Sequence, residues 1–429
     1  MKIAGIIAEY NPFHSGHQYH IEETRKACGA DYIIVLMSGD FVQRGEPAIL
    51  DKYSRCRMAL KGGADVVIEM PAYYATASAE YFATAGIGIL DALNCVDCFS
   101  FGSEWADIKE LTEVADLLLE ESPDYQRKLK ESLSQGKNYP RAREEALRFC
   151  LRNPELADLL KTPNHILGVE YLKAHKRRKS RMQPWTIRRK GSGYHEDNIW
   201  ARESYPSATA IRNYLNSNIG SESGTSMLPP SGELSELLEK AIPQEANLLL
   251  QKMSQGDFVS WKDLMPFLDY AILMGQDPVA QARLYFGQDE EMLRRMKKCY
   301  QPGQSMDEII ARCHSKNYTD AALRRLFLHI LLQMEEKDFL KTAVGIPIPY
   351  ARILGFRKES SELLAHMRKC SQIPIIQKVS MGQKLWKEDA IARQIYRMDL
   401  RSANFYEQIA AAKSGRKMIH EMTRNQIIL

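Results

Sequence analysis

Four times in the first 120 residues a short, nearly continuous apolar run is followed by a helical pattern. The runs cover residues 2–8, 31–37, 64–69 and 95–101; the helical patterns extend to about Cys28, then over 51–61, 81–93 and 108–120. A strand without polar alternation must be covered on both faces, and a helix between successive strands is the connection a parallel sheet requires. The pattern therefore predicts an α/β domain with a doubly wound parallel sheet, whose ligand would sit at the carboxyl ends of the strands. Helical patterns continue over 125–176, and a further strand over 183–189 leads through a polar loop to a short helix from Ser207.

The stretch 216–232, Asn-Ser-Asn-Ile-Gly-Ser-Glu-Ser-Gly-Thr-Ser-Met-Leu-Pro-Pro-Ser-Gly, is rich in turn formers and is read as a linker. It divides a domain over 1–215 from a second over 233–429. The patterns at 321–332 and 362–368 make that second domain mainly α-helical, interrupted around Pro347, Pro349 and Pro374. A chain of 429 residues can hold such a division. Its start stays apolar only as far as Glu9, which suits a strand better than a signal peptide, and no run approaches the ~20 apolar residues of a membrane helix. A soluble, cytoplasmic protein is expected. The eight cysteines are scattered, which argues against a disulfide framework. Cys95 and Cys98 have metal-type spacing, but within a strand their thiols would face opposite ways, so they are read as structural and no structural metal is expected.

Charge is divided unevenly. Residues 1–120 carry nine Lys/Arg against eighteen Asp/Glu, so with +4 for the whole chain the remainder carries +13. Nine basic residues and no acidic one fall within 171–190. Lys176, Arg177, Arg178, Lys179 and Arg181 in that block are the candidate RNA-binding surface, because phosphate neutralisation releases counterions; a solvated surface is the alternative.

The first strand-to-helix turn, Ala8-Glu9-Tyr10-Asn11-Pro12-Phe13-His14-Ser15-Gly16-His17, is the candidate for chemistry. A helix starting near His14 puts two imidazoles on one face, beside unpaired amides and the positive end of the helix dipole, which suits phosphate. Helix capping without function is the other reading, and the expected position at the strand ends favours the first. This turn resembles the nucleotidyltransferase superfamily marked by His-x-Gly-His. The likeness extends to Pro206-Ser207-Ala208-Thr209-Ala210-Ile211-Arg212, similar to that superfamily's Ile-Ser-Ser-Thr-x-x-Arg, with Ala208 replacing a serine.

Further motifs narrow the resemblance. They are Met37-Ser-Gly-Asp-Phe-Val-Gln-Arg-Gly-Glu-Pro-Ala48, Gly63-Ala-Asp65, Phe101-Gly-Ser-Glu104, Pro163-Asn164-His-Ile-Leu-Gly-Val-Glu-Tyr-Leu172 and, more loosely, Pro349-Tyr-Ala-Arg-Ile-Leu-Gly-Phe356. Together they look like the bacterial tRNA(Met) cytidine acetate ligase family. The resemblance implies activation of acetate by ATP to acetyl-adenylate, then acetyl transfer to the exocyclic amine of the wobble cytidine of elongator tRNA(Met). Two alternatives are a superfamily enzyme making a small cofactor from ATP or CTP, and a non-catalytic nucleotide-sensing RNA-binding protein.

On this reading the ATP site takes in Ile7, Ala8, Glu9, Tyr10, Asn11, Pro12, Phe13, His14, Gly16, His17 and His20, with Gly102, Asn164, Arg188 and Arg189, and with Ser207, Thr209 and Arg212. Mg2+ is expected to accompany the phosphates. His14 and His17 are the catalytic candidates, compensating charge on departing pyrophosphate. Asp40 has two readings, orienting or deprotonating the amine, or capping the next turn. Asp51 is read as a helix N-cap. Tyr10, Phe41, Tyr194 and Trp200 are candidate base-stacking aromatics, with core packing as the alternative role.

Overall fold

The computed structural model describes residues 1–189, 207–219, 245–275, 290–335, 346–385, 387 and 389–429. Its strands are β1 (Ile3–Ala8), β2 (Tyr32–Ser38), β3 (Phe41–Val42), β4 (Glu46–Pro47), β5 (Val66–Met70), β6 (Cys98–Ser103), β7 (Gln183–Arg188), β8 (Ala351–Phe356), β9 (Ile375–Ile376) and β10 (Ile427–Ile428). The main sheet runs β10-β8-β5-β2-β1-β6-β7, with β9 also on β8, and β3-β4 form a separate hairpin. Every pairing in the main sheet is parallel except β5 with β8.

The first half supplies α1 (Ser15–Cys28), α2 (Lys52–Lys61), α3 (Ala72–Ala75), α4 (Ala79–Ala92), α5 (Ile108–Glu120), α6 (Pro123–Ser134), α7 (Tyr139–Cys150), α8 (Pro163–Arg178) and α9 (Ala208–Ile219). The second half supplies α10 (Ala246–Ser254), α11 (Trp261–Met274), α12 (Glu290–Cys299), α13 (Met306–Cys313), α14 (Asp320–Leu332), α15 (Ser361–Cys370), α16 (Val379–Leu385) and α17 (Ala390–Ser414). None of these helices is long and apolar enough to cross a membrane.

The apolar runs are buried on both faces, as a parallel sheet demands. Along β2, Ile33, Val35 and Met37 join one core with residues of α1 and α2, while Ile34 and Leu36 join the other with residues of α4, α5 and α8. Successive side chains of a strand point to opposite faces, so one run feeds two cores. The doubly wound expectation holds, and Asp51 caps α2 by accepting from the amides of Tyr53 and Ser54.

Other expectations are corrected. Residues 216–219 of the expected linker continue α9, and 220–232 lie outside the described residues. The second half does not build a core of its own: β8 pairs with β5, and α11, α13, α14 and α17 share the core of α4 and α8. The motif Pro349–Phe356 is thus a sheet strand, which turn residues and helical neighbours concealed in the sequence. Cys95 precedes β6, which begins at Cys98, so the argument from opposite strand faces does not apply to the pair. Both are free thiols.

A buried ion network joins the halves. Lys52 Nζ lies 2.6 Å from both Glu69 and Glu421, and Arg352 of β8 pairs with the same two carboxylates. All four side chains are almost wholly removed from solvent. Such a network stabilises only while it is complete, because removing one member strands the charge of another. Lys52→Met is expected to cost about 3–5 kcal/mol. Urea unfolding of the variant beside the parent chain measures this; equal midpoints would show that the network contributes nothing.

Candidate active site

β1 ends at Ala8, and the chain leaves the sheet through Tyr10, in the left-handed region at φ 50°, and a cis Asn11–Pro12 bond. These bends deliver His14 to the start of α1, over the carboxyl ends of β1 and β6. There the sequence-based geometry needs one correction: α1 begins at Ser15, and His14 is its N-cap. The His14 Nδ1 accepts from the Gly16 amide (3.1 Å), and the His17 Nδ1 accepts from the His14 amide (3.3 Å). Two amides expected to meet phosphate are therefore already engaged by imidazoles.

That capping has a chemical consequence. A neutral imidazole whose Nδ1 accepts carries its proton on Nε2. Neither Nε2 has a protein partner among the described residues, so the turn presents two N–H donors from rings stacked 3.7 Å apart. Burial, then the positive charges of Arg189 and Arg212, bring His14 down to about 3. Burial, His14 and Arg189 hold His17 well below the usual imidazole range, and burial with Arg189 brings His20 down to about 4. His20 Nε2 is further tied to Ser100 Oγ of β6 at 3.1 Å. Tyr10 Oη, Asn11 Nδ2 and Ser15 Oγ are buried in this turn without a hydrogen-bond partner. Orphaned polar atoms are rare in folded interiors, and three of those among the described residues fall in this one turn.

The other expected motifs converge on this turn. Arg212 of α9 donates to the Asn11 carbonyl at 2.7 Å and pairs with Glu46 at 3.1 Å. Ser207 Oγ accepts from the Ala210 amide, and Thr209 Oγ1 lies 3.4 Å from both Arg44 and Arg212. At the end of β6, Gly102 lets the Arg189 side chain pass: a Cβ there would stand 3.2 Å from its Cγ. Asn164, at the start of α8, donates to Glu104, so the Phe101–Glu104 and Pro163–Leu172 motifs meet through one hydrogen bond. Arg188 ends β7 and is exposed.

Asp40 is engaged by the start of α2. It is buried, its Oδ1 accepts from the Lys52 amide at 2.7 Å, and its Oδ2 lies 3.9 Å from the Lys52 ammonium. That is the capping geometry. Burial, opposed by Lys52, pushes its carboxyl up to about 7. Tyr10 and Phe41 are likewise buried, and Tyr194 and Trp200 lie outside the described residues.

The basic block on α8 lies at the opposite end of the sheet from the histidine turn. α8 starts beside the carboxyl end of β6 and runs back along the sheet, so Arg177 lies about 18 Å from His165, at 1.5 Å per residue. Lys176, Arg177 and Arg178 pair there with Asp116, Glu80 and Asp91, while Lys179 and Arg181 are exposed. A cleft of about 630 Å3 between Arg25, Asp65 and Arg357 also opens at that end and holds none of the site residues.

Several participants escaped sequence reasoning. Arg44 reaches the site because the β3–β4 hairpin folds back: Gly45, at φ 76°, packs so closely on α14 that a Cβ would stand 2.4 Å from the Arg325 amide. Buried His165 pins α8 to β6 through Ser103 Oγ and the Glu104 amide, with exposed Trp105 edge-on to its ring. Arg44 and Glu104 stand within the quoted motifs, and that was their only signal.

A parallel α/β sheet with a cationic, imidazole-capped turn at its carboxyl edge defines a nucleotide-binding domain of the nucleotidyltransferase type. A family model for HIGH nucleotidyl transferases matches residues 1–421. Proteins named tRNA(Met) cytidine acetate ligase are similar throughout: one from Thermoanaerobacter pseudethanolicus is 38% identical, covering 94% of this chain and 97% of its own. Another from Acetivibrio thermocellus is 35% identical over the full length of both. The crystal structure of apo Thermotoga maritima TmcAL superposes with a TM-score of 0.88 at 30% identity, and that of TmcAL bound with alpha-thio ATP with 0.84, each covering both chains completely. The chain belongs to the HIGH nucleotidyl transferase family and, within it, to the tRNA(Met) cytidine acetate ligases.

The depressed histidines make stability depend on pH. The unfolded chain binds protons near pH 6.5 whereas the folded site resists them to about 4 or 3, so stability is present above pH 6.5 and lost as pH falls below it. Each such histidine removes up to about 1.4 kcal/mol per pH unit in that window. Thermal melts at pH 7.5 and 5.5 should separate more for the parent than for a His14→Asn/His17→Asn variant; equal separation would mean that these rings titrate normally.

Proposed function

We propose that this chain activates acetate with ATP, releasing pyrophosphate, and transfers the acetyl group to a cytidine of tRNA(Met). The observation that carries the reading is the pair of Nε2–H donors of His14 and His17 amid Arg44, Arg189 and Arg212 at the switch point of the sheet. ATP would lie with its phosphates on this group. Mg2+ would travel with the triphosphate; among the described residues no trio of His, Cys, Asp or Glu is placed to hold a metal.

Acetate is ionised at neutral pH and needs no base. Its oxygen bonds to the α-phosphorus while the bond to the β-phosphate's bridging oxygen breaks, and negative charge collects on pyrophosphate. Donors already aimed at that charge favour the transition state over the ground state. In the second step the cytidine amine attacks the acyl carbon, AMP departs, and the amine proton passes to AMP or solvent. Adenylate is a good leaving group, so placement of the base does most of this work. Asp40 then serves by holding the loop before α2. The second half, residues 233–429, contributes to tRNA contact.

The test is exchange of labelled pyrophosphate into ATP without tRNA. Exchange should require acetate, and addition of tRNA(Met) should give acetylated cytidine by mass spectrometry. His14→Asn or His17→Asn should each lower kcat about 100-fold or more, since a preorganised donor to developing charge contributes roughly 3 kcal/mol. Exchange indifferent to acetate, or labelled AMP on a small phosphorylated acceptor, would replace this reading with cofactor synthesis.

A further inference from the structure

The sheet's carboxyl edge carries a second cationic feature, remote from the turn. α17 lies along this edge: Asp399 accepts from the Ala72 amide just after β5, and Tyr406 Oη donates to the Ala48 carbonyl, four residues before α2 begins. Its buried face is occupied by these contacts. Its exposed face carries Arg393, Arg397 and Arg401, spaced four residues apart and therefore aligned in one row about 12 Å long at 1.5 Å per residue.

The row lines a cleft of about 620 Å3 together with Gln394, Met398 and Leu400. No carboxylate lines that cleft among the described residues, and neither Arg393 nor Arg397 has an ion partner among them; Arg401 donates to Gln333. This differs from the end of α8, where Arg177 and Arg178 are paired with Glu80 and Asp91. Clustered guanidinium groups left without counter-charges on a rigid helix are suited to a run of phosphates, each of which they can grip through two N–H bonds.

We infer that Arg393, Arg397 and Arg401 of α17 form the surface on which the RNA backbone lies while a base enters the crevice at β1 and β6. The inference rests on the proposed RNA substrate and adds where that substrate is held. Position supports it. β5 is two strands from β1, about 10 Å at roughly 4.8 Å per strand, so the point at Ala72 where α17 is anchored and the nucleotide turn lie along one edge of the sheet. An RNA strand crossing that edge can therefore meet both. The α8 block cannot be met in the same way, since the depth of the sheet separates it from the crevice. Backbone contacts of this type set affinity and register without reading sequence.

The full-length chain with Arg393→Gln, Arg397→Gln and Arg401→Gln together tests this. Two quantities are read: the tRNA(Met) dissociation constant across a salt series, and acetate-dependent pyrophosphate exchange without tRNA. The triple variant should bind tRNA about 10-fold or more weakly near physiological salt, with a salt slope smaller by about 2–3, while exchange is unchanged. The corresponding triple Lys variant should recover most of the affinity, and Arg177→Gln/Arg178→Gln should bind as the parent does. Unaltered tRNA affinity and slope in the triple Gln variant would overturn the inference. So would joint loss of binding and exchange in both triple variants, which would place the row in the fold. A parent chain that binds tRNA but shows no acetate-dependent exchange would instead sink the proposed reaction and leave the RNA surface to be judged by the binding data alone.

Discussion

The mouth of this sheet is held by one guanidinium. Arg55, fully buried on α2, donates to the carbonyls of Glu9, Ser38, Gly39 and Leu50, which belong to the segments leaving β1 and β2. Parallel strands that stop at one edge leave carbonyls which neither the ladder nor water can satisfy, and a single planar fork collects four of them. Because Glu9 leads directly into the histidine turn, and Gly39 into the loop of Asp40 and Arg44, the clamp sets the spacing between the two segments that line the site. A lysine could not replace it, having three donors and no fixed plane. The catalytic geometry is in this sense inherited from the way the strand ends are closed.

Legibility of the fold followed its physics. Residues 2–8, 31–37 and 64–69 could be read as strands because burial on both faces leaves a run nearly continuous in apolar residues, with Glu69 the charged exception inside β5, and the structure reproduces them within two residues. β8 was not legible. It follows Pro347 and Pro349, and its pairing with β5 is antiparallel and lies more than 280 positions away in sequence, a relation that local periodicity does not encode. The second half therefore looked like a separate helical body, although it completes both the sheet and the buried Lys52–Glu69–Arg352–Glu421 network.

For the site, motif order conveyed which segments matter but not which atoms face the ligand. The His14–His17 turn and the Ser207–Arg212 helix start were found, and they do meet, through Arg212 and the Asn11 carbonyl. Spacing left helix capping by the imidazoles and turn capping by Asp40 as open alternatives, and the structure shows both contacts. The basic block at 171–190 shows a different limit: density of charge was visible in the sequence, whereas the pairing of Lys176, Arg177 and Arg178 with Asp116, Glu80 and Asp91 arises from packing of α8 on α4 and α5. Arg393, Arg397 and Arg401 are thinly spread in sequence and become a row only through helical period.

Neutral histidines are an apt choice beside so many arginines. Arg44, Arg189 and Arg212 already bring positive charge to the turn, countered by Glu9, Glu104 and Glu46. Two imidazolium rings stacked 3.7 Å apart would add repulsion to an empty site and weaken the fold that displays it. Neutral rings avoid this cost yet still offer Nε2–H donors whose direction is fixed by the backbone amides on Nδ1. Burial lowers these rings most, and Arg189 and Arg212 add to it, so on the proposed reading the negative charge of a triphosphate would offset the lesser of the two causes. The same two residues thus cap a helix through Nδ1 and, on the proposed reading, meet an anion through Nε2, with the capping contact fixing the direction of the donor.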